Sequence, residues 1–259
     1  MTGITQATAD GDSAAAKRLM RALHEGDLAF AFQPIVAAAT REPAYWECLL
    51  RVSSAGATPI GGTGMIDACE RLGFAPVLDR RTLAMSLELL GRAPAARLSV
   101  NLSGVTVANR AWLAVLTNRL RADPGLGQRL VVEITETAAL GDIAESSRFV
   151  QKLRGLGVRV AVDDFGAGHT SFDTLLALGP DIVKIDSAMA SGSAGSPRSR
   201  AFVQSLADAA RQRGWCVVAE GVEADADEAF LIAEGVGFFQ GGRYGRPQTD
   251  EPWRERPAG

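Results

Sequence analysis

The stretch Phe30-Ala31-Phe32-Gln33-Pro34-Ile35-Val36, followed after Ala37 to Tyr45 by Trp46-Glu47-Cys48-Leu49-Leu50-Arg51-Val52, decides the fold. Both runs are rich in aromatic and branched residues and read as strands. The connection between them is too short for a crossover helix, which takes a dozen or more residues between parallel strands. The first strand is therefore expected to run antiparallel to the second.

Working outward, six more short apolar runs follow: Leu98 to Leu102, Leu130 to Thr135, Arg159 to Asp163, Ile182 to Asp186, Cys216 to Ala219, and Phe238 with Phe239. Helical periodicity lies between most of them, at Ala75 to Leu90, Ala111 to Arg121, Ile143 to Arg154, Arg198 to Arg213 and Asp225 to Glu234. An earlier helix is expected from an N-cap at Ser13 to Gly26, with Leu19, Met20 and Leu23 on one face. Ser53 to Thr63 and Ser191 to Pro197 read as small-residue loops. About eight strands alternating with helices, and no long linker in mid-chain, predict one closed α/β barrel of the modified TIM type, a (β/α)8 barrel with its first strand antiparallel to the rest. An open doubly wound sheet is the alternative. Residues 1–18 are expected to be an extension or linker into the first helix, 19–250 the barrel and 251–259 a tail.

Composition narrows the chemistry. The 259 residues carry 27 Lys and Arg against 30 Asp and Glu, a formal charge of -3, which argues against a broad basic field for DNA or RNA duplexes. The two histidines, His24 and His169, cannot build a His-rich zinc site. Cys48, Cys69 and Cys216 form no CxxC pair and read as reduced packing residues. The longest uncharged stretch, Val52 to Ile66, holds Pro59 and falls short of the roughly 20 apolar residues of a membrane span. Met1 to Asp12 lacks the basic start and apolar core of a signal peptide. The chain is expected to be cytoplasmic, without direct membrane insertion.

Strands buried on both faces should be nearly all apolar, yet polar groups interrupt several of them near their C-terminal ends. They are Glu47, Asn101, Glu133, Asp163 with Asp164, Lys184 with Asp186, and Glu220. Read singly, a strand Glu is an edge or solvent-facing residue, and Asp163-Asp164 before Phe165-Gly166 are turn and capping residues. Recurrence at strand ends favours a site, because those ends converge on one barrel mouth. Carboxylates crowded there repel unless protonated or paired with positive charge, and one lysine is too little. An all-oxygen donor set suits Mg²⁺ or Mn²⁺, and so many carboxylates suggest two ions, a device for displacement at phosphorus. Asp-Phe-Gly also occurs in protein kinases, but no Gly-rich phosphate loop or His-Arg-Asp accompanies it.

With these residues in place, the sequence resembles the EAL-domain family of cyclic di-GMP phosphodiesterases. The resemblance starts at Ala22-Leu-His-Glu-Gly-Asp-Leu and runs through Phe32-Gln33-Pro34-Ile35-Val36, Glu47-Cys48-Leu49-Leu50-Arg51, Asn101-Leu102-Ser103, Glu133-Ile134-Thr135-Glu136, Asp163-Asp164-Phe165-Gly166-Ala167-Gly168, Val183-Lys184-Ile185-Asp186 and Ala219-Glu220-Gly221-Val222-Glu223. It ends at Gln240-Gly241 and Gly245-Arg246-Pro247. The resemblance implies hydrolysis of one phosphodiester of cyclic di-GMP to linear pGpG with Mg²⁺ or Mn²⁺. It further implies that Glu47, Asn101, Glu133 and Asp163 hold a first ion, and that Asp163 and Asp164, with Glu220 nearby, serve a second. Lys184 and Gln240 match positions that orient or activate the attacking water, and Gln33 and Arg51 positions near the substrate. Glu136 matches the anchor of the Asp-Asp-Phe-Gly loop, and Glu223 a supporting position.

A few residues depart from that pattern. Cys48 replaces the name-giving Ala, but strand alternation turns it away from Glu47 toward the packing helices. Ala167 and His169 stand where Thr and Tyr are common, and Gly242 and Arg243 where an aromatic and an aliphatic residue are common. The usual Pro is absent at Asp67. None of these removes a ligand. The expected assembly is a homodimer, and family members often form part of longer signalling proteins. A catalytically silent cyclic di-GMP receptor acting through a protein partner is the second functional reading.

Overall fold

The computed structural model describes residues 2–54, 57–61, 63–135, 142–167 and 172–254, with 2–10, 54, 57–61 and 63 by backbone alone. The strands are β1 (Leu28–Ala37), β2 (Pro43–Ser54), β3 (Ala57–Gly61), β4 (Leu98–Leu102), β5 (Leu130–Thr135), β6 (Arg159–Phe165), β7 (Ile182–Ile185), β8 (Cys216–Glu220) and β9 (Phe238–Gln240). Their order is β1-β9-β8-β7-β6-β5-β4-β2-β3, and β1 also pairs with β2, so eight strands close a barrel and β3 extends it outside β2. As expected from the short connection, β1 is antiparallel to both of its neighbours, while the other barrel pairs are parallel. Every one of the eight strand expectations lands on a barrel strand.

The helices are α1 (Thr2–Glu25), α2 (Thr63–Arg71), α3 (Ala75–Arg92), α4 (Arg110–Ala122), α5 (Ile143–Gly155), α6 (Phe172–Leu178), α7 (Ser187–Ala190), α8 (Pro197–Arg213) and α9 (Asp225–Ala233). Local chemistry sets several of their ends. Asn109 caps α4 by accepting from Ala111 N and Trp112 N; Ser196 caps α8 ahead of Pro197, and Gly214, at φ 71°, ends it.

Two local expectations are corrected. Ser13 is not an N-cap but lies inside α1, which begins at Thr2. The helix-favouring Ala14-Ala15-Ala16 run and an ion pair from Asp12 to Arg71 of α2 support the earlier turns. The Ser53–Thr63 segment is not wholly a loop, because Ala57–Gly61 pairs antiparallel with the end of β2, with Val52 opposite Ile60. A hairpin partner overrides the small-residue composition there. The outer face of the β1–β2 hairpin has no crossover helix of its own, and Trp253 packs edge-on against Phe32 and Trp46, at 4.8 and 5.5 Å between ring centroids.

Side-chain alternation builds the interior in two rings. Ile35, Tyr45, Val131, Ala161, Ile182 and Val218 form one apolar cluster inside the barrel. Two residues further along each parallel strand stands a polar residue on the same face: Glu47 after Tyr45, Glu133 after Val131, Asp163 after Ala161, Lys184 after Ile182 and Glu220 after Val218. On antiparallel β1 the order reverses, and Gln33 precedes Ile35. The apolar ring is a floor, and the polar ring above it is the mouth.

Candidate active site

Lys184 is the centre of the polar ring. It is 1% exposed, and its Nζ lies 2.7 Å from Glu220, 2.8 Å from Glu133, 3.0 Å from Asp163 and 3.6 Å from Glu47. Burial disfavours its charge, but Asp163, Glu133, Glu47 and Glu220 together outweigh that and hold its pKa well above the ordinary lysine value. Around it, Glu47 accepts hydrogen bonds from Asn101 Nδ2 at 2.7 Å and Gln240 Nε2 at 2.6 Å. Gln240 Nε2 also reaches Gln33 Oε1 at 3.3 Å, and Gln33 Nε2 donates to the carbonyl of Gly245 at 3.2 Å.

Asp164 reaches the cluster by breaking strand alternation. Consecutive strand residues face opposite ways, so Asp163 and Asp164 could not share a site in a regular β6. The β6–β7 register shifts between Val162 and Phe165, Asp164 takes φ 57°, and its N–H donates to Asp163 Oδ1 at 3.0 Å. Aspartate tolerates this left-handed backbone better than most residues. The following Gly166, at φ 103°, is required: a Cβ there would lie 2.8 Å from both Met189 and Phe202. As a result, carboxylate oxygens of Asp163, Asp164 and Glu220 all lie within 4.8 Å of one another.

The charge balance is uneven. Five carboxylates, of Glu47, Glu133, Asp163, Asp164 and Glu220, share one ammonium. Burial pushes the Glu133 carboxyl up to about 8, against the pull of Lys184. Burial, again opposed by Lys184, raises Glu220 to about 7, and burial with the neighbouring Asp163 charge raises Asp164 to about 6. Glu47 goes the other way, because Lys184 and the amides of Gln240 and Asn101 outweigh its burial. Glu133 Oε1 and Gln240 Oε1 are buried without a hydrogen-bond partner among the described residues. An all-oxygen donor set, excess negative charge and an orphaned buried carboxylate oxygen fit a hard divalent cation.

The raised acids give a pH signature. Glu133, Glu220 and Asp164 bind more protons folded than unfolded, so their contribution is full below the ordinary carboxylate range and is lost as pH rises through about 6, 7 and 8. In chelator, the unfolding midpoint is expected to drop between pH 5.5 and 8.5 by an amount on the order of 5–10 °C, equivalent to about 3 kcal/mol. Added Mg²⁺ or Mn²⁺ should reverse most of the loss at the alkaline end. A chelated midpoint that climbs with pH over this range contradicts the assignment.

A cavity of about 290 Å³ opens beside the cluster, running from Asp163 and Asp164 past Asn101 and Glu47 to Arg51. Arg51 is half-buried on its wall, with Nη1 donating to the carbonyl of Leu50 at 2.9 Å. Asp79 was not singled out by the sequence reading. It lies on the buried side of α3, lines the cavity and accepts from Ser103 N at 3.0 Å, fixing the chain just beyond Asn101. An aspartate among the apolar positions Leu78 and Leu83 was the available signal. Burial raises its carboxyl to about 6.

Glu223 stands apart: it is exposed, and its backbone carbonyl accepts from Arg243 at 2.8 Å. Arg243 also pairs with Asp225 and with Glu228 at 3.2 Å, tying the segment after β9 to the start of α9. Cys48 is buried among the outer apolar residues, as alternation required. Glu136 and His169 lie outside the described residues, as does Gly168. No described helix is long and apolar enough to cross a membrane.

Comparison with known proteins agrees with this geometry. The family model described as EAL domain matches residues 16–247. The cyclic di-GMP phosphodiesterase PdeF of Escherichia coli K12 is 28% identical over 235 residues, covering 89% of this chain and 31% of PdeF. This chain therefore spans about a third of that relative's length. Among solved structures, the PaMucR phosphodiesterase in complex with c-di-GMP superposes with a TM-score of 0.78 at 28% identity, covering 91% of this chain and 97% of that one. The FimX EAL domain of Xanthomonas citri, in complex with c-diGMP, reaches a TM-score of 0.82 at 18% identity over 96% of this chain and 100% of that one, a likeness of fold.

Proposed function

The chain belongs to the EAL domain family, and we propose that it hydrolyses one phosphodiester bond of cyclic di-GMP to give linear pGpG, using divalent metal at the barrel mouth. The observation that carries the reading is the convergence of four carboxylates on the ammonium of Lys184, with Asp164 beside them and one Glu133 oxygen left without a hydrogen-bond partner among the described residues. Glu47, Asn101, Glu133, Asp163 and Asp164 would hold Mg²⁺ or Mn²⁺, as two ions, with Glu220 beside the second. Such ions acidify the attacking water and neutralise charge growing on the phosphoryl oxygens.

The chain's own groups divide the remaining work. Gln240 donates its Nε2 to Glu47 and Gln33, and its buried Oε1, without a partner among the described residues, is suited to orienting a water. Lys184 supplies a fixed positive charge that holds the nucleophile. Glu220 pairs with Lys184 at 2.7 Å and would stand beside the second ion, where its carboxylate can fix the lysine and accept from a bound water. Arg51 commits Nη1 to a backbone carbonyl and has further donors for a phosphate oxygen from the cavity wall. Gln33 steadies Gln240 at the substrate end. Glu136 would anchor the loop after Asp163-Asp164, and Glu223 would support the mouth from its rim. The same reading carries a homodimer, a cytoplasmic location, a barrel spanning residues 19–250 and a place within longer signalling proteins.

The direct test is to incubate the purified chain with cyclic di-GMP and Mg²⁺ or Mn²⁺ and to separate the nucleotides. Linear dinucleotide should accumulate and stop on chelation. Tight binding of cyclic di-GMP with no turnover under either metal would instead identify a silent receptor.

A further inference from the structure

The opposite end of the barrel holds a second cavity, of about 240 Å³. Its lining residues stand where strands begin: Tyr45 early in β2, Arg97 just before β4, Arg159 opening β6, Ile182 opening β7, Cys216 opening β8 and Phe238 opening β9. It therefore lies at the base, with the apolar ring between it and the acidic mouth.

The chemistry of the two ends is opposite. Among the described residues, the base cavity is lined by two arginines and by no acid. Neither the Arg97 nor the Arg159 guanidinium has an ion pair or hydrogen bond among the described residues. The adjacent acid, Asp181, is already committed, accepting from Val160 N at 2.9 Å and facing Arg154 at 3.1 Å. Tyr45 is 3% exposed, yet its hydroxyl has no partner among the described residues. A buried hydroxyl without an acceptor is costly unless a ligand or water completes it. Two guanidiniums around one small cavity repel each other unless an anion lies between them.

We propose that the base of the barrel is a binding site for a small phosphate-bearing anion, held by Arg97 and Arg159. Phosphate suits the donors better than a carboxylate, because two guanidinium forks and a hydroxyl offer more hydrogens than a carboxylate's two oxygens accept well. The site is separate from the mouth and independent of what is hydrolysed there.

The test is calorimetric titration of the full chain with inorganic phosphate at constant ionic strength. Chelator keeps the metal-free mouth net negative and unattractive to anions. One saturable site is expected, with acetate binding at least about tenfold more weakly. Arg97→Gln and Arg159→Gln should each weaken phosphate at least about tenfold, whereas Arg51→Gln, at the mouth, should leave it unchanged. Arg97 is exposed, so Arg97→Gln decides the matter if Arg159→Gln does not fold. No saturable binding, equal binding of acetate, or loss in Arg51→Gln with retention in the base variants overturns the proposal.

Discussion

Glu47→Ala is expected to lower cyclic di-GMP hydrolysis by roughly 10³-fold or more while the barrel remains folded. Glu47 sits at the junction of the site's two hydrogen-bonding arms, receiving Asn101 on one oxygen and Gln240 on the other, with Lys184 at 3.6 Å. Truncation removes a proposed metal oxygen and frees both amides to turn. Gln240 suffers most, because its Nε2 is left with only the longer 3.3 Å contact to Gln33 to keep Oε1 aligned. Glu47→Gln separates charge from shape: the side chain keeps its length and one acceptor oxygen, and activity should still collapse if the carboxylate charge is what matters. Nucleotide chromatography over a long incubation reads both variants, with circular dichroism as the check on folding. Activity within tenfold of the starting protein in Glu47→Ala would remove Glu47 from the chemistry.

Lys184→Met is expected to be the most disruptive single change to the metal-free protein. The ammonium offsets four carboxylates from four different strands, and breaking a buried charge set by removing one partner costs about 3–5 kcal/mol. At pH 8 in chelator the unfolding midpoint should fall by about 10 °C. At pH 5.5 the loss should be smaller, because the acids raised by burial already carry protons there. Saturating divalent cation should restore much of the midpoint but not hydrolysis, since the cation replaces the missing charge and not the group that holds the nucleophile. Equal destabilisation at both pH values, with or without metal, would mean that Lys184 acts through packing alone.

Much of the candidate site was legible because its signals are local. Glu47, Glu133, Asp163, Lys184 and Glu220 each interrupt an apolar strand at the same height, and a period of two is enough to place each on the inner face. Asp79 was less visible because it arrives from a helix, where a buried acid differs little from a surface one until the facing chain, here Ser103 N, is known. Tyr45 was read only as the end of the connection between the first two strands, and its hydroxyl, without a partner among the described residues, appears only once the barrel closes around it.

By itself, the sequence determined the eight strands, the antiparallel first hairpin and the height at which the acids stand. These follow from side-chain alternation and loop length, which act over a few residues. Only the tertiary structure decided that Asp164 turns inward beside Asp163, that one lysine faces four carboxylates, that Ala57–Gly61 forms a strand, that Trp253 covers the hairpin and that two arginines meet at the base. Each of these depends on which distant strands become neighbours when the sheet closes, and the closure sets burial, charge proximity and register together.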